Sequence, residues 1–557
     1  MTSSYAPLSF AAWRALSPEQ QAARLRSAGQ NDPAWIVPPD GFPSRPTTPG
    51  PLEGLVFAVK DNIDVAGVST TAGCPDFAYT PAHDSAAVEL LVEAGARPVG
   101  KTNLDQFATG LVGTRSPYGV VPNVHRPDVI GGGSSSGSAS VVARGLVPFA
   151  LGTDTAGSGR VPAGLQGIVG LKPTRGWFSA RGVVPACQSL DCVSIFTARV
   201  DDAVTVASVL GRFDPKDPYA RPAPMTAAFR PLTRRLAIPA ALEWGGDAVQ
   251  ALAWEEALGR WRALGYQLIP VDPAPLAEMA ALLYSGPWVA ERVAALTGFY
   301  PARAEAIHPV VRGILEGASR FDAASAFRAE VRRRELAAVI ADLWPDCDAL
   351  LVPTVPRVYT IEEVLADPLG TNAHLGTWTN FVNLADLCAL AVPGGTRSDG
   401  LPFGVTLVGR AWEDGRLALV GREWESWSDE VQVAVVGAHL SGLPLNPLLT
   451  RRGARLVGSS RTAPLYRLYA LEDQVPPKPG LVRTTSGGGS VAVEVWSLPR
   501  AAYGAFVAEI PSPLGIGTLE LEDGRRVQGF LCEAWTLEGR RDITEWGGWK
   551  AWLASRP

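Results

Sequence analysis

The chain has 557 residues, of which 46% are hydrophobic and 19% charged, and its formal net charge is −5. This length exceeds a single ordinary core, so two or more globular domains are expected. The mild charge without a basic stretch argues against nucleic-acid binding, and no run of about 18 apolar residues predicts a membrane span. The N-terminus lacks a secretory signal pattern, and the six cysteines lack CxxC spacing. A cytoplasmic protein without disulfides or zinc is expected.

In chain order, an amphipathic helix is predicted within residues 9–28. The apolar run 55–59 then predicts a buried strand that ends directly at Lys60. A lysine in that place is explained either by a salt bridge to Asp61 or Asp64 or by a catalytic role. Only six of the 50 basic residues are lysine, and lysine, unlike arginine, can lose its proton when buried.

A helix is predicted over residues 84–96, and the segment GARPVGKT at 95–102 matches the phosphate-binding pattern GxxxxGK[ST]. That motif requires a strand before it and a helix after it. Here a helix precedes the motif and the motif itself has a strand pattern, while Pro98 removes one N–H group. Nucleotide binding is therefore not expected.

Residues 129–170 carry two clusters of glycine and serine, GGGSSSGSA at 131–139 and GTDTAGSGRVPA at 152–163. The apolar run 145–151 between them predicts a buried strand. Glycine lets backbone N–H groups approach a ligand, and hydroxyls beside exposed amides suit nucleophilic attack and oxyanion stabilisation. Two flexible surface loops are the alternative, but two clusters joined so closely by one strand argue against it.

Beyond residue 170 the pattern is mostly helical at about 230–345 and returns to short apolar strands afterwards. Strands and helices alternate over residues 50–425, which predicts an α/β domain with a central sheet, and we place the first domain at residues 1–430. Short strands and turns dominate residues 433–557, which predicts a second, smaller α+β domain.

Three motifs in this order resemble the amidase signature family. GTDTAGSGR at 152–160 is similar to its core motif GTDTGGSIR, GGGSSSGSA is similar to GGSSGGSA, and AVKDN at 58–62 is similar to its lysine motif. The resemblance covers about residues 50–425. It implies amide hydrolysis and the amidase signature fold, an α/β fold with a central mixed sheet covered by helices. Ala156 and Gly159 replace the usual glycine and isoleucine, but neither change removes a catalytic group.

The resemblance implies a Ser-Ser-Lys triad in which Ser158 is the nucleophile, Ser134 the bridging serine after a cis peptide bond, and Lys60 the terminal base. It also implies an oxyanion hole formed by the backbone amides of Thr155, Ala156, Gly157 and Ser158. The five histidines all lie outside the two clusters, so a lysine is the better base. Because burial disfavours the charged form, we expect Lys60 to be neutral.

Three parts of the chain carry a more specific resemblance: the segment YSGPWVAER at 284–292, residues 200–221 and the C-terminal half. They resemble allophanate hydrolases, which convert allophanate to ammonia and carbon dioxide in urea breakdown. This implies that Tyr284 and Arg292 bind allophanate, whose carboxylate suits a guanidinium fork. The spacing of eight residues is about two helical turns and predicts that both side chains share one helix face. A helix-capping Arg292 beside a core Tyr284 is the alternative.

The same resemblance implies that the C-terminal domain completes a second step, the breakdown of the carbamic acid product. His439, within VVGAHLSGLPLNPLL at 435–449, is the candidate residue. The domain resembles, more loosely, the folds of gamma-glutamyl cyclotransferases. A purely structural His439, or a domain that serves only for dimerisation, stays open as an alternative.

Two other functions compete. The chain could be another amidase, such as the glutaminase subunit of a tRNA-dependent amidotransferase, but Tyr284, Arg292 and the additional domain argue against it. It could be a non-catalytic binding protein, but intact Lys60, Ser134 and Ser158 argue against that. No metal or organic cofactor is implied. The family implies a homodimer, and any urea carboxylase that supplies the substrate is expected to be a separate protein.

Overall fold

The computed structural model describes residues 6–27, 29, 31–46, 48–224, 231–426 and 430–556. The chain divides into two compact units, Met1–Ser426 and Trp427–Pro557. Residues 427–429, at the predicted change of pattern, lie outside the described residues, as does Arg230, the first residue of the predicted helical portion.

The described part of the first unit contains eleven strands: β1 (Trp35–Val37), β2 (Val56–Lys60), β3 (Arg97–Thr102), β4 (Phe149–Asp154), β5 (Val169–Lys172), β6 (Cys192–Thr197), β7 (Arg235–Pro239), β8 (Gln267–Val271), β9 (Ala349–Pro353), β10 (Leu387–Thr396) and β11 (Pro402–Arg410). The described helices of this unit are α1 (Phe10–Arg14), α2 (Pro18–Arg26), α3 (Ala86–Glu93), α4 (Ser136–Ala143), α5 (Val161–Gln166), α6 (Val200–Leu210), α7 (Ala248–Ala263), α8 (Ala274–Ser285), α9 (Trp288–Ala295), α10 (Pro309–Glu316), α11 (Ala323–Ala341), α12 (Ile361–Ala366), α13 (Gly370–Leu375), α14 (Asn380–Leu384) and α15 (Asp414–Ser426).

These strands form one mixed sheet in the order β1-β3-β2-β4-β6-β5-β10-β11-β9-β7-β8, which confirms the predicted α/β architecture. The central strands β2 and β4 are buried at every residue, as expected for a sheet covered on both faces. Strand β2 runs parallel to its neighbour β4. Their carboxyl ends, at Lys60 and Asp154, therefore lie at the same edge of the sheet.

The segment that resembles a phosphate loop is strand β3 for most of its length. Lys101 of this segment is completely buried and forms an ion pair with Asp61 at 2.9 Å. Its ammonium therefore has a carboxylate partner inside the protein, and the segment has neither the loop nor the following helix that a phosphate site requires.

The helical portion of the first unit includes strands β7 and β8, which pair in parallel, and β7 also pairs in parallel with β9. The chain leaves the sheet after β8, passes through α8, α9, α10 and α11, and re-enters it at β9. Short apolar strands such as RLAIP at 235–239 are hard to distinguish from buried helix by periodicity, because the run is too brief.

The second unit contains, in its described part, strands β12 (Glu430–Val435), β13 (Arg455–Arg461), β14 (Tyr466–Leu471), β15 (Lys478–Arg483), β16 (Ala492–Pro499), β17 (Leu514–Glu520) and β18 (Arg526–Cys532), with helices α16 (Asn446–Thr450), α17 (Arg500–Ala508) and α18 (Trp549–Ala554). Five strands form a sheet in the order β13-β16-β12-β18-β17, and β14 pairs with β15. This unit has its own hydrophobic core, which includes Val433, Leu498 and Trp552.

Candidate active site

Lys60 is the last residue of strand β2, and its side chain is wholly buried. Its Nζ atom donates hydrogen bonds to Ser134 Oγ and to Thr153 Oγ1, each at 2.7 Å. Asp61 does not serve as its salt-bridge partner, because the carboxylate of Asp61 pairs with Lys101. The Nζ atom of Lys60 thus contacts two hydroxyl groups, and no carboxylate in the described ranges forms an ion pair with it.

The protonation of Lys60 follows from this burial. Loss of solvation lowers the pKa of Lys60 to about 7, although the charges of Asp105, Asp191 and Asp154 oppose the shift. A neutral amine that accepts protons is therefore well populated near neutral pH, as expected from the sequence.

Ser134 stands at the start of the turn that leads into α4, and the Gly133–Ser134 peptide bond is cis, as the resemblance implies. The main-chain N–H of Asp105 donates to the Ser134 carbonyl at 3.1 Å. A Cβ atom on Gly133 would lie 2.1 Å from Asp105 Oδ2. Only glycine therefore fits at residue 133, directly before the serine that contacts Lys60.

Ser158 lies in the turn between β4 and α5, and only 2% of its surface is exposed. Its hydroxyl donates to the main-chain carbonyl of Gly110 at 3.4 Å. Because β2 and β4 are parallel neighbours, Lys60 at the end of β2 and the turn with Ser158 after β4 lie at the same edge of the sheet. Ser134, which precedes α4, is placed there by its hydrogen bond with Lys60.

The turn that carries Ser158 is held by Asp154, the last residue of β4. Its carboxylate accepts the N–H groups of Gly157 at 2.8 Å and Gly159 at 3.0 Å. Arg160 forms a bidentate ion pair with the same carboxylate, with both distances 2.9 Å. Burial alone would raise the pKa of Asp154, but Arg160, together with Lys172 and the N–H of Gly159, lowers the pKa below its usual value. The turn is therefore built around a buried, ionised carboxylate.

This arrangement corrects one expectation for the oxyanion hole. The N–H of Gly157 is already used by Asp154, so it is not free for a ligand. The N–H groups of Thr155, Ala156 and Ser158 donate to no residue within the described ranges. The donor set is therefore smaller than predicted, because the motif does not reveal which of its amides face inward to the aspartate.

Asp191 fixes the other side of this turn. Its carboxylate accepts a short hydrogen bond from the hydroxyl of Thr155 and the N–H of Ala186 at 2.8 Å. Burial raises the pKa of Asp191 to about 6. The side chain and the backbone of this turn are thus anchored by two different aspartates.

Tyr284 and Arg292 do not share one helix face, and that prediction was wrong. Tyr284 is near the end of α8 and Arg292 lies in α9. The helical conformation is interrupted between them, at Gly286 and Pro287. Proline disfavours a helical conformation for the preceding residue and cannot continue the helical hydrogen bonding. The side chains nevertheless meet, since the guanidinium carbon of Arg292 lies 5.7 Å from the centre of the Tyr284 ring.

The Arg292 guanidinium is buried, with 3% of the residue exposed. Its Nη1 atom donates to Thr109 Oγ1 at 3.0 Å, while its buried Nε atom has no hydrogen-bond partner within the described part of the chain. The neighbouring carboxylate of Glu291 is used by Ser189, through two bonds of 2.7 Å. Among the residues described here, no carboxylate forms an ion pair with Arg292. A buried charge without a counter-ion is costly, so this site favours an anionic ligand.

His439 belongs to the second unit, where it lines a cavity of about 230 Å³ together with Lys478, Phe506 and Phe530. Its ring stacks on Phe530, with centroids 5.0 Å apart, and meets the edge of Phe506 at 5.5 Å. Burial lowers the pKa of His439 to about 4, and the charges of Lys478 and Arg452 contribute to the shift. The imidazole is therefore neutral near pH 7.

Several residues of the site were not identified from the sequence. Thr153, the second acceptor of Lys60, lies within the core motif and at the end of β4, so its place in the motif was a usable signal. Thr109 and Arg115 reach the site through contacts between distant segments, and no local pattern marks them.

Within the described ranges, no group of three His, Cys, Asp or Glu residues is arranged for a metal ion. No described helix combines the length and apolar character needed to cross a bilayer.

Comparison with known proteins identifies the family to which this chain belongs. Residues 44–418 match the family model described as amidase, and residues 431–554 match the allophanate hydrolase C-terminal domain. The chain is 45% identical to the urea amidolyase of Saccharomyces cerevisiae over 547 residues, covering 90% of this chain but 30% of that protein. The chain therefore spans less than a third of the length of this relative.

A structure of the allophanate hydrolase of Kluyveromyces lactis is 42% identical, with a TM-score of 0.71, and the match covers 98% of this chain and 99% of that one. A glutamyl-tRNA(Gln) amidotransferase subunit from Acidobacterium capsulatum is 34% identical over 409 residues, covering 68% of this chain and 85% of that protein. The chain belongs to the amidase family of hydrolases and carries in addition the C-terminal domain named after allophanate hydrolase.

Proposed function

We propose that this protein is an allophanate hydrolase whose first unit cleaves the terminal amide bond of allophanate through an acyl-enzyme on Ser158. The observation that carries the substrate assignment is Arg292, a buried cation that forms no ion pair with a carboxylate of the described residues. It contacts Thr109, and the next residue, Gly110, accepts a hydrogen bond from Ser158. The similarity to the Kluyveromyces lactis allophanate hydrolase along nearly the whole of both chains supports it.

In the proposed mechanism, neutral Lys60 accepts the proton of Ser134 while Ser134 takes the proton of Ser158. Ser158 Oγ attacks the terminal carbonyl carbon, and the developing oxyanion is stabilised by free N–H groups of the turn at 155–158. Collapse of the tetrahedral intermediate breaks the C–N bond, and the proton held by Lys60 returns through Ser134 to the departing ammonia. Water then hydrolyses the acyl-enzyme by the same proton route and releases N-carboxycarbamate.

Arg292 binds the carboxylate of allophanate in this proposal, and the ring of Tyr284 packs against the guanidinium. Ion pairing inside a desolvated site discriminates strongly, because a neutral substrate leaves the buried charge uncompensated. Simple neutral amides are therefore expected to be poor substrates.

The second unit is proposed to act on N-carboxycarbamate, which loses carbon dioxide to give carbamate when a proton is added to its nitrogen. Lys478 and the neutral ring of His439 line the same cavity, and a lysine there suits a small dianion. The alternative is that His439 is structural, held by its stacking on Phe530 and Phe506.

The proposed partners follow from the chemistry of the substrate. Allophanate is a carboxylated urea, so an enzyme that carboxylates urea must supply it. We also propose that the protein is a homodimer, which light scattering of the purified chain tests directly.

Ammonia release from allophanate, malonamate and glutamine tests the function, with wild type compared to Ser158→Ala, Arg292→Ala and Arg334→Ala. Arg334 is 75% exposed and serves as the matched arginine control. We expect rapid turnover of allophanate, loss in the serine variant, strong weakening in Arg292→Ala and no change in the control. Turnover of glutamine without allophanate would instead indicate an amidotransferase-type glutaminase. Failure to react with a fluorophosphonate probe would indicate a non-catalytic scaffold.

A further inference from the structure

A second buried arginine lies beside Arg292. Arg115 is 1% exposed, and its Nη1 and Nη2 atoms donate to the main-chain carbonyls of Thr109 at 3.0 Å and Pro368 at 2.6 Å. Its Nε atom is buried and has no hydrogen-bond partner. In the part of the chain that the structure describes, the Arg115 guanidinium, like that of Arg292, forms no ion pair with a carboxylate.

Thr109 joins the two guanidinium groups. Its carbonyl oxygen accepts from Arg115, and its hydroxyl oxygen accepts from Arg292 at 3.0 Å. The next residue, Gly110, presents its carbonyl to the hydroxyl of Ser158. One dipeptide therefore contacts two buried cations on one side and the reactive serine on the other.

The electrostatics of this cluster favour an anion. The carboxylate of Asp105 accepts main-chain N–H groups of Val112, Gly113 and Arg115, at 3.2, 3.0 and 2.9 Å, and so it neutralises the guanidinium of Arg115 only from a distance. Burial lowers the pKa of Arg115 and Asp105 opposes this shift, while the charge of Arg292 lowers the pKa further. The two like charges thus act on each other, and an anion bound between them would relieve both the repulsion and the loss of solvation.

The short length of allophanate agrees with a carboxylate subsite next to Thr109 and Gly110. In allophanate a single nitrogen atom separates the carboxylate carbon from the carbonyl carbon that Ser158 attacks. The carboxylate subsite must therefore lie immediately beside the serine hydroxyl. Thr109 contacts Arg292, and the adjacent residue Gly110 contacts Ser158. Because the two residues are neighbours in the chain, they meet this requirement.

We propose that Arg115 is a specificity-determining positioning residue for the carboxylate subsite. Through Thr109 it orients Arg292, and its own buried charge strengthens the preference for substrates whose carboxylate lies one atom from the scissile carbonyl. This inference rests on the proposed function of the same site.

The test compares malonamate with malonamide, which differ only in carrying a carboxylate or a carboxamide at the distal position. The variants are Arg115→Met, Arg115→Lys and Thr109→Val. The last removes the hydroxyl that accepts from Arg292 and donates to the main-chain carbonyl of Phe107 at 3.1 Å. We expect kcat/KM for malonamate to fall about 10- to 100-fold relative to malonamide in Arg115→Met and Thr109→Val. The rate at which a fluorophosphonate probe labels Ser158 should change little. Arg115→Lys should recover part of the selectivity, because it keeps the charge but not the fork.

Arg397→Met serves as the structural control, because Arg397 is a buried arginine with its own carboxylate partners, Asp247 and Asp399. It should alter thermal stability without altering the selectivity ratio. Equal losses on both substrates in the Arg115 and Thr109 variants would overturn the inference and reduce Arg115 to a structural role. If Arg115→Met does not fold, an unchanged ratio in Thr109→Val overturns it as well. Failure of the proposed function is distinguishable, because wild type itself would then show no preference for malonamate.

Discussion

Lys60 Nζ lies 2.7 Å from Ser134 Oγ, and neither side chain is exposed to solvent. The contact joins the end of one central strand to a turn that follows a cis peptide bond 74 residues later in the chain. Because water is excluded from both groups, the proton affinity of the lysine depends on the protein interior rather than on bulk solvent. The first two predictions follow from this relationship.

The activity is expected to depend on one deprotonation near neutral pH. Burial lowers the pKa of Lys60 to about 7, and only the neutral amine accepts the serine proton. The kcat/KM for malonamate should therefore rise about tenfold per pH unit below 7 and level off above it. A pH profile measures this directly. Full activity in Lys60→Arg would contradict the assignment, since arginine stays protonated.

Burial of the same lysine is expected to lower the free energy of unfolding of the protein. Its pKa is about 7 in the folded protein and 10.5 as the unperturbed reference, so between these values the unfolded chain binds more protons and wild type gains stability as pH rises. Lys60→Met lacks this dependence. Its stability advantage over wild type should be largest below pH 7 and should disappear by about pH 10.5, with an upper limit of about 5 kcal/mol before the two lost hydrogen bonds are subtracted. Melting temperatures from pH 7 to 10 test this, and parallel curves for the two proteins would refute it.

Gly159 is expected to tolerate no side chain in this protein. A Cβ atom there would lie 2.6 Å from Ser194 Cβ. Gly159→Ala should lower the free energy of unfolding by about 1–3 kcal/mol and displace the turn that carries Ser158, with loss of activity. Ser194→Gly in the same chain should restore most of both. If the double variant is no better than the single one, the clash is not the cause.

His439→Phe separates chemistry from packing in the second unit. Phenylalanine keeps a ring beside Phe530 and Phe506 but removes both nitrogen atoms. If His439 has a chemical role, release of the first ammonia should be unchanged while carbon dioxide release lags behind it. Coupled assays of the two products measure the lag. Simultaneous release, equal to wild type, would assign the histidine a structural role.

The sequence was informative where a motif is local and less so where contacts are distant. The buried strand that ends at Lys60 and the two turns with serines follow from short patterns of apolar and small residues. The central sheet follows from the alternation of strands and helices, whereas its mixed strand directions were implied only by the family resemblance. The use of the Gly157 N–H by Asp154 was not predictable, because the motif gives residue types without the direction of each amide. Arg115 was missed because its contact with Pro368 spans 253 residues.

The route of the chain between β8 and β9 has an evolutionary consequence. Lys60 and the turn with Ser158 extend from β2 and β4, whereas Tyr284 and Arg292 lie on helices inserted between two strands near the far end of the sheet order. No described strand lies in that insertion, so it adds no hydrogen bonds to the strand pairing of the sheet. If Tyr284 and Arg292 select the substrate as proposed, substitutions in the insertion can change which amide is accepted while Lys60, Ser134 and Ser158 stay the same. A new substrate then requires no new catalytic residues.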